Sequence, residues 1–420
     1  MAKQKNIYKE LAEAAEQAAS FAAANGRVLV TARQQKRLIA TPDEFQAVVK
    51  DMAVGGNLKE RDHEILMVVL CAISGVVCVM FGPPSVGKSD LARKFGRRLG
   101  NLKFFSRLLN DTTVPKELFG IQDIAAMKDG KDRLISAGKL PDAQVAFLDE
   151  VFKSNSAILN LLLWYMEHES IVDTGDGPRV SPVLLRIAAS NELPRDASLT
   201  PLFTRFGCRL LVQDIQEPAN LAEAVFSLDG LDNIGVMLSA EHLDSARAQL
   251  SMIQVEPSLV EQDVRDAVVE VMFDLRAKNV RPSIREAQDW LRLARAYAWY
   301  LGETDIRLQH LVVGRTCFWK KFEHRQIVEE TILKKVNPDL YNIMDTYRSG
   351  QERVEKLRGM PTTSAEEVKA RLDAAMEAAA DIQFNVNQYT SNKDLEVQVF
   401  VKKLEEMNDY CAGLLTARRK

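Results

Sequence analysis

The sequence predicts a phosphate-loop α/β fold: a parallel five-stranded sheet with helices on both faces, continued by an all-helical domain and a helical C-terminal extension. Three observations carry this prediction. The apolar run 76–81 leads directly into Gly82-Pro83-Pro84-Ser85-Val86-Gly87-Lys88-Ser89, and a helical pattern follows over 91–99. Four further apolar runs, at 103–108, 145–148, 184–189 and 208–212, alternate with helical segments, as strands of a parallel sheet do. After Glu217-Pro218 the alternation stops and only helical periodicity remains.

The glycine-rich run matches G-x-x-x-x-G-K-[ST] at every fixed position, in the strand–loop–helix context the motif requires. Gly82 and Gly87 let the backbone curl until its N–H groups converge on phosphates. A helix starting near Lys88 adds its positive N-terminal end. Lys88 can reach the β- and γ-phosphates, and the Ser89 hydroxyl can hold Mg2+. A chance glycine turn would not carry all of these features together. The run therefore predicts nucleoside triphosphate binding by residues 82–89.

A second set of residues supplies the chemistry. Val145-Ala146-Phe147-Leu148 ends in Asp149 and Glu150. About sixty residues after a phosphate loop, this reads as a Walker B strand. Asp149 would hold Mg2+, and Glu150 would orient or deprotonate the attacking water. A further apolar strand ends in Ser190-Asn191-Glu192, and an asparagine there can hydrogen-bond the water or the γ-phosphate. Arg205, in Leu202-Phe203-Thr204-Arg205-Phe206, can be presented to a neighbouring subunit's γ-phosphate. Arg205 is preferred to Arg209, which lies inside the last strand. Arg285, at the start of a helix in the all-helical domain, can approach the same phosphates from the other side. The plainer alternatives are a turn-capping asparagine and solvated arginines.

Bulk properties narrow the partners. A net charge of −3 with interleaved charges gives no general attraction for polyanions, so nucleic acid is not an expected partner. No apolar run reaches membrane-spanning length, and the start of the chain lacks the hydrophobic core of an export signal. The five cysteines are scattered and odd in number, which suits reduced thiols in a cytoplasmic protein. The five histidines form no ligand-spaced pair, so no structural zinc is expected.

Four regions follow. Residues 1–38 are an alanine-rich helical appendage, 39–217 the α/β nucleotide-binding domain, 218–319 the helical lid, and 320–420 a C-terminal helical extension. In the lid, Pro257-Ser258-Leu259 opens one helix with the stripe Leu259, Val264, Val268, Val271 and Leu275. Ser283-Ile284-Arg285 opens another, with Ala287, Leu291, Ala294 and Ala298 in phase. In the extension, Ser364-Ala365-Glu366-Glu367 reads as a capping box. The stripe Val368, Leu372, Ala375, Ala379 and Ile382 then faces either its own bundle or a partner helix, the bundle being preferred. The closing Arg418-Arg419-Lys420 suits a solvated arm.

These motifs together resemble the MoxR family of AAA+ ATPases, and within it the regulatory ATPase variant (RavA) group. The resemblance runs from about Leu58 to Trp319. It rests on Leu58-Lys59-Glu60-Arg61, on 115–120 and 138–143 around that clade's helix-2 insert, on 147–154 with 157–163, and on 188–194. It implies Walker A for Lys88 and Ser89, Walker B for Asp149 and Glu150, and sensor 1 for Asn191. It further implies the arginine finger for Arg205 and sensor 2 for Arg285. Ile171–Val180, with its Asp176-Gly177 turn, matches the clade's hairpin before sensor 1, which projects toward a ring pore. The family implies ATP and Mg2+, a homo-oligomeric ring of about six subunits, and chaperone-like remodelling beside a von Willebrand factor A domain protein. The alternatives are a nucleic-acid-directed motor, an activase for a carbon-fixing enzyme, and a nucleotide-gated scaffold. Beyond Trp319 the likeness fades, and the small β-rich module of the RavA group is not found.

Overall fold

The computed structural model describes residues 39–416, apart from 56–57, 101, 131–132, 168–170, 174–177, 195–198, 227–233, 253–260, 362 and 393–394. The expected appendage at 1–38, the Pro257-Ser258-Leu259 opening, the Asp176-Gly177 turn and the basic C-terminus therefore lie outside the described residues. Backbone contacts divide the chain into two compact units, one running to Val328 and one from Glu329 onward.

The first unit opens with helices α1 (Pro42–Val54) and α2 (Asp62–Ser74). Helix α2 is almost wholly apolar and buried from Met67 to Ile73. It ends at Gly75, whose left-handed φ of 75° closes it. Strand β1 (Cys78–Phe81) follows, then α3 (Lys88–Arg98), β2 (Phe104–Leu108), β5 (Val145–Asp149), β8 (Leu185–Ser190) and β9 (Cys208–Leu211). These five strands form one parallel sheet in the order β2-β5-β8-β1-β9. The strands lie where the apolar runs predict them, within two residues at each end.

Between β2 and β5 lies a small device: α4 (Pro115–Phe119), β3 (Ile121–Gln122), α5 (Ile124–Lys128) and β4 (Leu134–Ile135), with β3 and β4 antiparallel. Between β5 and β8 lie α6 (Ser156–Glu167) and the antiparallel hairpin β6 (Ile171–Asp173) and β7 (Pro178–Val180), in which Ile171 pairs with Val180.

After β8 come α7 (Thr200–Phe203) and, past β9, helices α8 (Pro218–Phe226), α9 (Ala240–Met252), α10 (Gln262–Ala277) and α11 (Ile284–Tyr300). A 3-10 segment, Leu308–Thr316, then lies along α11. Val264, Ala267, Val271 and Leu275 are the buried face of α10. In α11 the buried face holds Ala287, Ala294 and Ala298 together with Trp290 and Leu293. Trp290 donates its indole N–H to the Leu311 carbonyl at 2.8 Å.

One buried ion pair ties this helical part to the sheet. Arg209 and Glu286 have fully buried side chains and meet at 2.5 Å. Arg209 also donates to the Cys317 and Trp319 carbonyls at 2.6 and 2.9 Å, and its guanidinium lies over the Phe203 ring. Glu286 closes the capping box of α11 by accepting from the Ser283 N–H at 2.8 Å, while Ser283 Oγ accepts from the Glu286 N–H. Burial pushes the Glu286 carboxyl up, but Arg209 and Lys320 outweigh it and hold the group below the usual carboxylate range.

The second unit comprises the end of α12 (Phe322–Val336) and helices α13 (Pro338–Gly359), α14 (Ala365–Tyr389) and α15 (Leu395–Thr416). Ser364 caps α14 by accepting from the Glu367 N–H at 3.2 Å. Val354 and Leu357 of α13, Ala375 and Ala378 of α14 and Cys411 of α15 form its buried core. The predicted stripe of α14 thus turns, through Ala375, Ala379 and Ile382, toward helices of its own unit.

Removing one partner of the Arg209–Glu286 pair strands the other charge in the interior. Glu286→Ala is expected to lower unfolding free energy by about 3–5 kcal/mol, read by chemical denaturation, and a loss below about 1 kcal/mol would contradict the role given to the pair. Because the folded carboxyl titrates below its usual range, its contribution is complete above that range. It fades as the pH falls through the depressed value.

Candidate functional site

Parallel pairing brings the C-terminal ends of β1, β5 and β8 to one edge of the sheet. Phe81 pairs with Ser190, and Leu148 with Ala188. The residues after each strand end therefore converge, which is where open α/β sheets bind ligands.

The loop after β1 turns at Gly82, whose φ is 150°. A Cβ there would lie 2.1 Å from the Val212 carbonyl oxygen, so only glycine fits. Ser85 and Gly87 also take positive φ, 69° and 90°. Gly87 is the N-cap of α3, so Lys88 and Ser89 are the first residues of the helix. Pro83, Pro84 and Ser85 face outward, while Val86 and Lys88 are buried.

Lys88 Nζ donates to the carbonyls of Gly82 and Pro83, both at 2.7 Å, and to Asn191 Oδ1 at 2.8 Å. Its three N–H donors thus all have acceptors. Burial pushes its pKa down, although Asp149 and Glu150 pull the other way. Ser89 Oγ donates to Asp149 Oδ2 at 2.7 Å.

Glu150 is a non-glycine residue in the left-handed region, with φ 53° and ψ 41°. This turn reverses the chain after β5 and swings the Glu150 side chain toward the end of β8. There Asn191 Nδ2 donates to Glu150 Oε1, and the Asn191 N–H donates to Oε2 at 3.4 Å. Lys153 sits 3.2 Å from the same carboxylate. Asn191 therefore touches Lys88 through its oxygen and Glu150 through its nitrogen. An oxygen-only pair, the Ser89 hydroxyl and the Asp149 carboxylate, suits a hard divalent cation such as Mg2+.

These hydrogen bonds gather five of the predicted site residues: Lys88, Ser89, Asp149, Glu150 and Asn191. The two arginines are carried by other elements. Arg205 is half-buried just past α7, and its backbone N–H donates to the Leu202 carbonyl at 3.0 Å. Arg285 is exposed in the first turn of α11, next to Glu286. Arg209 is committed to its buried pair.

Two residues given no role by their sequence pattern brace the loop and the chain that follows β9. The buried Arg61 guanidinium donates to the carbonyls of Glu60, Val86 and Gln213. Glu60 accepts from the N–H groups of Gln216 and Glu217 at 2.8 and 2.9 Å and from Asn220 Nδ2 at 2.9 Å. Burial raises the Glu60 carboxyl, and these bonds more than reverse it. Charged residues just before an apolar helix are too common a pattern to reveal such a brace.

Residues 44–234 match the family model for the MoxR domain in the MoxR–vWA–beta-propeller ternary systems. Two uncharacterised proteins of Methanocaldococcus jannaschii are similar along most of their length. One is 27% identical over 85% of this chain and 96% of its own, the other 26% over 85% and 94%. A structural protein of Acidianus two-tailed virus is 25% identical over 51% of this chain and 34% of its own. The crystal structure of an inferred ATPase of Cytophaga hutchinsonii shares the fold with a TM-score of 0.55 at 17% identity, over 70% of this chain and 95% of that one. The family model thus covers the α/β part of the chain, and the likeness to the Cytophaga protein shows a shared fold. Among the described residues, no helix is long and apolar enough to cross a membrane.

The two loop glycines differ in what they demand. Beyond Gly87 a Cβ meets nothing within 4 Å, whereas beyond Gly82 it meets backbone. Gly87→Ala should then cost only the strain of its φ, about 1–3 kcal/mol. Gly82→Ala should cost clearly more, because β9 must also move. Thermal unfolding of the two variants gives the ordering, and equal losses would count against the close approach of β1 and β9.

Proposed function

We propose that this chain is an ATP-hydrolysing subunit of a MoxR-type AAA+ ring that remodels or matures a protein complex. The observation that carries the reading is Asn191, bonded at once to the phosphate-loop lysine and to the carboxylate after β5. Such an arrangement joins nucleotide binding to water activation through one side chain.

In this reading the triphosphate displaces the carbonyl acceptors of Lys88 and takes charge-assisted bonds in their place. Residues 82–87 offer backbone N–H groups, and the N-terminal end of α3 faces the same charge. Ser89 and Asp149 would hold Mg2+, which would supply positive charge to the phosphate oxygens. Glu150 orients the attacking water or takes its proton, with Asn191 fixing the carboxylate. Arg205 acts in trans on a neighbour's γ-phosphate, and Arg285 approaches from the lid side. This implies a ring, taken as hexameric, and a catalytic centre at each subunit boundary. The lid is read as 218–319, and the tail from 320 as an extension.

The described family works with von Willebrand factor A and beta-propeller proteins, which supports a partner of the former kind. A chaperone-like role in the cytoplasm, close to the RavA group, accords with that partnership. The overall charge of −3 argues against nucleic acid as the substrate.

Lys88→Ala should abolish measurable ATP binding by calorimetry, and unchanged affinity would remove this loop as the site. Glu150→Gln should keep ATP bound while hydrolysis falls on the order of 10²-fold or more. Wild-type turnover in that variant would place water activation elsewhere. Mixing Arg205→Ala with Lys88→Ala subunits should restore part of the activity, since each supplies what its neighbour lacks. Assembled mixed rings without rescue would make Arg205 a structural residue.

A further inference from the structure

Four of the five cysteines meet at the opposite end of β1 from the phosphate loop. Cys78 opens β1 and Cys208 opens β9, and the two are register partners in adjacent parallel strands. Cys71 comes from the last turn of α2, above them. The sulfur atoms of Cys71, Cys78 and Cys208 all lie within 4.8 Å of one another, and all three residues are fully buried. Cys317 is buried beside them: the Thr316 hydroxyl lies 3.8 Å from the Cys208 sulfur and 3.9 Å from that of Cys317. Among the described residues, the first three form the one group of three or more histidine, cysteine or acidic side chains close enough to share an ion. None of the cysteines is in a disulfide.

From this convergence we propose that Cys71, Cys78 and Cys208 form a binding site for a thiophilic d10 cation, of the zinc, cadmium or monovalent copper class. The donor set is sulfur alone, which selects soft cations over Mg2+ or Ca2+. Metal–sulfur bonds of about 2.3 Å require the sulfurs to close by less than about 1 Å, within reach of small side-chain rotations. Burial pushes the Cys71 and Cys208 thiols up, whereas their hydrogen bonds to Cys78 pull its thiol down, and without metal the three buried side chains pack as small residues. Binding forms three metal–sulfur bonds and releases to solvent whatever protons the thiols still hold. The ion would then staple α2, β1 and β9 together beneath the phosphate loop. The site is distinct from the oxygen pair of Ser89 and Asp149, and it does not depend on the proposed ATPase activity. It also runs against the expectation of no structural zinc, which rested on histidine spacing.

Because the cluster is closed to solvent, the test loads metal during folding. The full chain is refolded from denaturant with one equivalent of Cd(II), desalted, and examined for sulfur-to-cadmium absorption and for metal content. About one cadmium per chain is expected. Cys78→Ala and Cys208→Ala should lower the retained metal at least tenfold, and Cys411→Ala should keep it. Should the strand variants fail to refold, Cys71→Ala on the helix gives the same comparison. Wild-type protein that refolds to its native circular dichroism in the presence of Cd(II) and retains none after desalting would overturn the proposal. So would equal retention in folded Cys71→Ala or Cys78→Ala.

Discussion

Strands β1 and β9 run so close where they end that Gly82 lies against the Val212 carbonyl with no room for a side chain, and the architecture of the site hangs on that approach. The Val212 N–H donates to the Phe81 carbonyl at 2.8 Å, so the ladder continues right up to the turn. Arg61 reaches from the start of α2 to the next carbonyl, that of Gln213, and to Val86 in the loop. The loop is held by backbone and one arginine, which leaves its own N–H groups available. Beneath it the Phe81 ring touches those of Phe152, Phe203, Trp319 and Phe322 at 5.6–6.2 Å. These residues follow β5, end α7 and lead into α12. One buried side chain thus joins the loop to the segments that carry Glu150 and Arg205 and to the exit from the helical part.

Several of these features can be read from the sequence because their causes are local. A buried strand needs a continuous apolar run, and a phosphate loop needs glycine at two fixed places, so all five strands and Lys88, Ser89, Asp149, Glu150 and Asn191 stand out in the chain. Other features depend on residues far apart. The order β2-β5-β8-β1-β9 interleaves strands from opposite halves of the domain. The partner of Arg209 is Glu286, and Arg61 bonds across to Gln213; neither leaves a mark at its own position. Strands β3 and β4 have two residues each, too few for any period. The left-handed turn at Glu150 cannot be read at all, since glutamate has no preference for it.

Polar groups in the interior specify more than apolar ones here. Helices α10 and α11 bury apolar stripes that carry little directional information of their own. The Arg209–Glu286 contact cannot slide, because the same carboxylate closes the α11 cap through Ser283. Helix start, strand β9 and the carbonyls of Cys317 and Trp319 are therefore fixed relative to one another by a single buried charge pair, a registry role such pairs can fill.

Asn191 has a consequence of a thermodynamic kind. Its oxygen and nitrogen are bonded to different partners, so it cannot move toward one without affecting the other. Any influence that draws the Glu150 carboxylate away changes the acceptors open to Lys88. Linkage makes the effect mutual: whatever ligand shifts the lysine must, by the same free energy, bias the position of the glutamate. Part of the coupling between the two halves of the site is therefore carried by one amide group, beside the direct attraction of Glu150 for Lys88. A side chain there with a single polar end, such as serine, would leave both halves in place and remove the hydrogen-bonded link between them.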